Sequence, residues 1–204
     1  MLLIVFLSCY KNNHLWNDLL KTVSNCIIFC GNPDINEEFI FKDRILTLKC
    51  PDTYDYLPLK TFLMIKAVLN IPEFNNITHI FKVDDHDTRV DANINNAIEN
   101  IPSIAHIDYC GQNINNHYYG NREWHFNKCP LDSRWHNKSY SGPYVPWVDG
   151  GCGYILSRKA LHLICKETID EVKEHIYEDL MIALILHSNN IHPIKIQNII
   201  SGDK

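Results

Sequence analysis

Residues Thr78 to Ile94 read THIFKVDDHDTRVDANI, and within them Asp84, Asp85, His86 and Asp87 crowd three carboxylates and an imidazole into four positions. Such groups repel one another unless a cation sits among them. Oxygen donors with one imidazole suit Mn²⁺ or Mg²⁺ better than a metal that prefers thiolates. An ion held there could also bridge to the phosphate oxygens of a ligand. The alternative is a solvated acidic turn in which Asp87 or Asp91 caps a following helix. Taken alone, the string favours that simpler alternative.

Two later stretches could do chemistry with it. DGGCGY (149–154) sets three glycines around one cysteine, just before the apolar run YILS. Glycines there allow backbone to approach a ligand or a turn at positive φ; a plain tight turn is the other reading. YEDL (177–180) places Glu178 and Asp179 ahead of an apolar helix. A carboxylate in that place can be a general base, or it can simply complement a helix N-terminus.

The elements that must position these groups follow from hydrophobic patterning. LLIVFLSC (2–9), CIIFCG (26–31), RILTLKC (44–50) and HIFKVD (79–84) are short apolar runs bounded by polar or turn residues, as strands are. HLWNDLLKTV carries Leu15, Trp16, Leu19, Leu20 and Val23 at helical spacing, and LPLKTFLMIKAVLN (57–70) is a second helix that tolerates Pro58 in its first turn. Strands alternating with helices predict an α/β fold with a mostly parallel central sheet flanked by helices. In such sheets ligands bind outside the carboxyl ends of the strands, which is where HIFKVDDHD delivers its acids. The stretch 111–147, rich in Asn, His, Trp and Tyr, has no long period and predicts short strands and loops. YEDLMIALILHSN reads as a further helix.

The 204 residues suit one domain spanning 1–204, with 46% hydrophobic and 21% charged residues. A net charge of −5 leaves no basic footprint, so nucleic acid is not an expected partner. The first apolar run is too short to span a bilayer and lacks the marks of a signal peptide. A cytoplasmic protein is expected, with the secretory pathway open if an anchor has been removed. The eight cysteines make no CxxC pair and no zinc spacing, and several lie in apolar runs as buried thiols do.

Four blocks in order carry a family resemblance. CPDTYDYLPLKT (50–61), FKVDDHD (81–87), GGCGYILSR (150–158) and YEDLMIALIL (177–186) are collinear with F-x-D-x-Y-x-N-L-T-L-K-T, K-x-D-D-D, G-x-G-Y-x-x-S and E-D-V. The chain thereby resembles the inverting β-1,3-galactosyl/N-acetylglucosaminyltransferases and Fringe-like enzymes of the GT-A fold. NREWHFNK (121–128) is similar to a further K-W stretch of that family.

The resemblance implies a UDP-sugar donor (galactose, N-acetylglucosamine or glucose), and a hydroxyl of a glycan, glycoprotein or glycolipid as acceptor. It implies Mn²⁺, or Mg²⁺, held by Asp85, His86 and Asp87, with a late histidine such as His192 completing the shell. Asp84, Lys60, Asp149, Gly150 and Gly151 fall to the donor, Lys60 either touching phosphate or anchoring a carboxylate such as Asp52. Trp147 and Tyr144, near the glycine turn, could stack on a sugar ring of the acceptor or pack in the core or a loop, and Trp124 and Trp135 could shape the acceptor site. Asp179 is the expected base with Glu178 as its neighbour and second choice. The chain departs from the pattern where His86 replaces the third aspartate, and the early R-x-x-I-R-x-T-W block is missing. A catalytically inactive GT-A domain and a metal-dependent phosphohydrolase are the alternatives.

Overall fold

A computed structural model describes residues 1–85, 104–116 and 121–196 of the chain. His86, Asp87 and Asp91 lie outside the described residues. In chain order the elements are β1 (Leu2–Leu7), α1 (Asn13–Thr22), β2 (Cys26–Gly31), β3 (Phe39–Lys42), β4 (Ile45–Leu48), α2 (Leu57–Asn70), β5 (His79–Asp84), β6 (Tyr109–Gly111), β7 (Ile114–Asn115), β8 (Trp147–Val148), β9 (Tyr154–Ser157), α3 (Arg158–Ile164), α4 (Ile169–Lys173), α5 (Glu178–Ser188) and β10 (Ile194–Lys195).

Eight strands form one sheet in the order β10-β6-β9-β5-β1-β2-β4-β3, and β7 pairs with β8 beside it. Within the large sheet β1, β2, β4 and β5 are parallel, as are β6 and β10. Strand β9 runs antiparallel between β5 and β6, and β3 antiparallel along the β4 edge. The expected mostly parallel sheet flanked by helices is therefore the architecture.

Side-chain alternation explains why helices cover both faces. Leu3, Val5 and Leu7 of β1 join one core with α2, α3 and α5, while Ile4 and Phe6 join another with Trp16 and Leu19 of α1. A strand buried on both sides has to be apolar at every position, which is why LLIVFL shows no polar break. Hairpin β3–β4 was not evident from apolar runs alone. Its two-residue turn places Asp43 at φ 51° and Arg44 at φ 64°, the left-handed pair that matches the twist of the flanking strands. Arg44 then reaches back to the carbonyls of Val23 and Ser24 at 3.1 and 3.2 Å, satisfying acceptors at the end of α1. All eight cysteines are free thiols.

The glycine turn before β9 has one residue in the left-handed region, Gly153 at φ 88°. A Cβ there would also meet Phe81 Cε2 at 2.6 Å and the Lys82 carbonyl at 2.8 Å. Gly153→Ala is expected to lower stability by about 1–3 kcal/mol. Urea denaturation measures it, and an unmoved midpoint would mean that the turn relaxes at no cost.

Candidate active site

Parallel strands β1 and β5 are neighbours in register, Leu7 opposite Asp84. From β1 the chain goes outward to β2 and the β4–β3 edge, then returns to β5 on the other side of β1. The order of the sheet reverses at this pair, so a crevice opens at their carboxyl ends. A cavity of 1120 Å³ occupies that place. Its wall includes Ser8, Asn12, Asp52, Lys60, Asp84, Asp85, Asp149, Gly150, Gly151, Glu178 and Asp179, with Tyr144, Trp147 and Trp124 further along. Four collinear sequence blocks thus meet at one cavity.

Asp85 is 5% exposed and held from two sides. Ser8 Oγ donates to its Oδ2 at 2.5 Å, and Asn12 Nδ2 lies 3.1 Å from both of its oxygens. Trp16 Nε1 donates to Ser8 Oγ at 2.6 Å and so fixes that hydroxyl. Nothing local in the sequence connects Ser8 or Asn12 to Asp85, a residue more than seventy positions away. Asp84 is held by Lys82, whose Nζ is 2.7 Å from its Oδ1.

Among the described residues, no three His, Cys, Asp or Glu side chains gather to hold a metal ion. Asp84 and Asp85 are nevertheless suited to one. Both offer hard carboxylate oxygens on the cavity wall, and each is oriented by hydrogen bonds of the kind that fix ligating carboxylates. His192 is not on that wall. Its ring packs 4.9 Å from that of His187 in the last turn of α5, roughly 13 Å along the helix from Glu178 at 1.5 Å per residue.

Lys82 is the hub of the site. Its Nζ lies 2.7 Å from Asp84, 3.2 Å from the Gly150 carbonyl and 3.2 Å from Glu178 Oε2, over the ring of Tyr154. Burial opposes its charge, but the carboxylates of Asp84 and Glu178 outweigh burial and raise its pKa. One ammonium therefore joins the acidic tip, the glycine turn and the start of α5. A signal was present in the sequence: residues two apart on a strand share a face, so Lys82 had to lie beside Asp84.

Glu178 and Asp179 are adjacent in sequence and differently placed. Glu178 is 7% exposed, and both of its oxygens are engaged, Oε1 by the Tyr154 hydroxyl and Oε2 by Lys82. Burial raises its pKa while Lys82 opposes the rise. Asp179 faces the cavity, where Oδ2 accepts the Gly150 N–H at 3.1 Å and Oδ1 its neighbour Leu180 N–H at 2.8 Å. Burial, and then the charge of Glu178, push its pKa up to about 7. A carboxylate that titrates near neutrality can accept a proton at working pH.

The glycine turn serves this packing. A Cβ on Gly150 would meet Glu178 Oε2 at 3.0 Å and Asp179 Cβ at 3.3 Å. Asp149 Oδ1 accepts the N–H groups of Gly151 and Cys152 at 2.9 and 3.3 Å and so shapes the turn itself. Lys60, 1% exposed, donates to Asp52 at 2.6 Å and to the Ser8 carbonyl at 3.0 Å. Of its two expected roles this is the anchoring one, and Asp52 in turn accepts the Gly31 and Tyr10 N–H groups.

The aromatic residues divide similarly. Tyr144 and Trp147 lie on the wall with ring centroids 5.5 Å apart. Trp124 is 60% exposed at the wall, with Lys128 Nζ 3.7 Å over its ring. Trp135, considered for the same site, is 7% exposed and packed with Cys129, Tyr140, Ile176 and Leu180. Arg134 and Lys138 lie over it at 4.9 and 5.2 Å, so it supports the wall without being part of it.

A family model described as galactosyltransferase matches residues 34–197. The match contains β5, the glycine turn and the start of α5, and begins after β1, α1 and β2. No curated protein matches the chain. The family acts on a nucleotide-sugar donor and a glycan acceptor, and no helix among the described residues is long and apolar enough to cross a membrane. A mostly parallel GT-A-like sheet, a cavity at its switch point and a family match over most of the length agree: the chain belongs to the galactosyltransferase family and is a glycosyltransferase.

Proposed function

We propose that this chain transfers a sugar from a UDP-sugar to a hydroxyl of a glycan, glycoprotein or glycolipid acceptor, with inversion at the anomeric carbon. The observation that carries the reading is Asp179: a cavity-facing carboxylate raised to about 7, in the same cavity as the Asp84–Asp85 tip. Asp179 takes the proton of the acceptor hydroxyl as that oxygen attacks the anomeric carbon from the face opposite the leaving group. The bond from that carbon to the diphosphate oxygen breaks, and UDP departs. Glu178 keeps its charge paired with Lys82, and its proximity holds the pKa of Asp179 up.

Asp84 and Asp85, with His86 and Asp87 beside them in sequence, are the residues that would hold Mn²⁺ or Mg²⁺. Such an ion would neutralise the diphosphate as it leaves. Ser8 and Asn12 keep Asp85 in place for that role, and Lys82 does the same for Asp84. Lys60 acts one step back, fixing Asp52 and the end of β1 at the donor side of the cavity.

Calorimetric titration of UDP into metal-free protein, with and without Mn²⁺, tests the reading. Binding that requires Mn²⁺ is the expected result. No binding under either condition would remove the donor and with it the proposal.

A further inference from the structure

Of the two roles expected for Tyr144, stacking on a sugar and packing within the protein, its ring already fills the second. Tyr140 meets it edge-on at 5.4 Å, Trp147 lies against it at 5.5 Å, and the Arg122 guanidinium sits 5.2 Å over its face. The loop around it is pinned as well. Arg122 donates to the carbonyls of Tyr140 and Gly142 at 2.8 and 3.1 Å, and the Tyr140 hydroxyl donates to the Pro143 carbonyl at 2.9 Å. What remains unaccounted for is the phenol oxygen. It is closed off from bulk water and has no hydrogen-bond partner.

The neighbouring phenols are paired. The Tyr109 oxygen accepts the Val148 N–H at 2.9 Å, the Tyr177 hydroxyl donates to the Asn121 carbonyl at 3.1 Å, and that of Tyr154 donates to Glu178. A buried hydroxyl left unpaired is costly, and the cost is removed when a partner arrives. Tyr144 lines the same cavity as Asp179. Burial raises its pKa, Arg122 opposes the rise, and the charge of Asp179 adds to it, so the two groups are close enough to interact.

We propose that the Tyr144 hydroxyl is a recognition element of the acceptor subsite, hydrogen-bonding a second saccharide hydroxyl beside the one that Asp179 deprotonates. The inference rests on the transferase reading and deepens it, because it asks for an acceptor with a hydroxyl next to the reactive one. The oxygen is shielded before binding, so the arriving saccharide has to open the wall there, and recognition is by induced fit. The rings around Tyr144 supply shape, and its hydroxyl supplies selection. A site built to pair a substrate hydroxyl rejects the analogue that lacks it, because the protein group is then left unsatisfied.

The test uses the whole chain with methyl β-glycosides of galactose, glucose and N-acetylglucosamine, each with its monodeoxy analogues. Affinities are measured by saturation-transfer NMR for wild type and Tyr144→Phe, with UDP affinity and Tm measured on the same samples. The expected result is a roughly tenfold loss for the best glycoside in Tyr144→Phe, the scale of one hydrogen bond. One deoxy analogue should lose as much on the wild type and lose nothing more on the variant. UDP affinity stays constant, and Tm is unchanged or higher because an orphan hydroxyl has gone. Equal affinities in both proteins would overturn the proposal. So would equal losses for every deoxy analogue with a lowered Tm, which is the signature of wall packing, or a wild type that binds UDP and none of the glycosides. Absence of UDP binding would count against the transferase reading, and the glycoside arm would still decide the role of Tyr144.

Discussion

Asp179→Asn is expected to reduce sugar transfer by about 10²- to 10⁴-fold, the usual contribution of a positioned general base, while leaving UDP affinity unchanged. Asparagine keeps the size of the side chain and an oxygen to accept the Gly150 N–H, and it gives up proton acceptance together with the Leu180 N–H bond to the second oxygen. The pH profile follows from the same group. With a pKa of about 7 in the folded chain, Asp179 is protonated below that pH and cannot act. Wild-type kcat/KM should therefore rise as the pH passes through about 7 and level off above it.

Stability should move in the opposite direction. The folded pKa of Asp179 lies above the ordinary carboxylate value of 3.8. Its contribution to stability is therefore fully present below that value and lost as the pH rises through about 7. At pH 8 the wild type carries a buried charge beside Glu178 that the variant lacks. Asp179→Asn should raise Tm, and by more at pH 8 than at pH 5. Thermal melts at the two pH values, with transfer assays alongside, measure both effects. A variant that retains turnover would move the base elsewhere, and an unchanged or lower Tm at pH 8 would contradict the environment assigned to Asp179.

Lys82→Met should produce the largest loss of stability. Methionine fits the stem of the lysine but leaves Asp84 and Glu178 without their shared ammonium. Breaking a buried ion pair from one side costs about 3–5 kcal/mol, because the remaining charge is stranded. Transfer should fall with it, since Asp84, Gly150 and Glu178 lose their common anchor. Adding Glu178→Gln to Lys82→Met removes the stranded buried charge of Glu178 and should recover part of the stability with none of the activity. Urea denaturation of the single and double variants distinguishes this from a general packing defect. If the double variant is no more stable than Lys82→Met, the ion network is not what holds the three segments together.

Strands β1 and β2 are legible because burial on both faces demands unbroken apolar runs, while β4 and β5 are legible as short apolar runs despite Thr47 in one and Lys82 in the other. Short strands are not. Strands β6, β7, β8 and β10 have two or three residues apiece, too few to show a period, and they exist by pairing with distant neighbours. The acidic tip at the end of β5 was readable together with its place at a ligand crevice, because strand ends and crevices are linked by topology.

What the sequence alone determined is the α/β class, the order of the blocks and the set of groups able to do chemistry. Tertiary structure alone decided how those groups differ. Glu178 and Asp179 are one residue apart, about 100° around a helix at 3.6 residues per turn. Both border the cavity, but that rotation points Glu178 at Lys82 and Tyr154 and leaves Asp179 on the backbone N–H groups of Gly150 and Leu180. Lys82 and Glu178 are separated by 96 positions, and Ser8 and Asp85 by 77. Interactions over such separations leave no local period or spacing to read. They form only when the sheet brings β1, β5 and the start of α5 to one edge, and the burial that follows sets which acid stays paired and which titrates near neutrality.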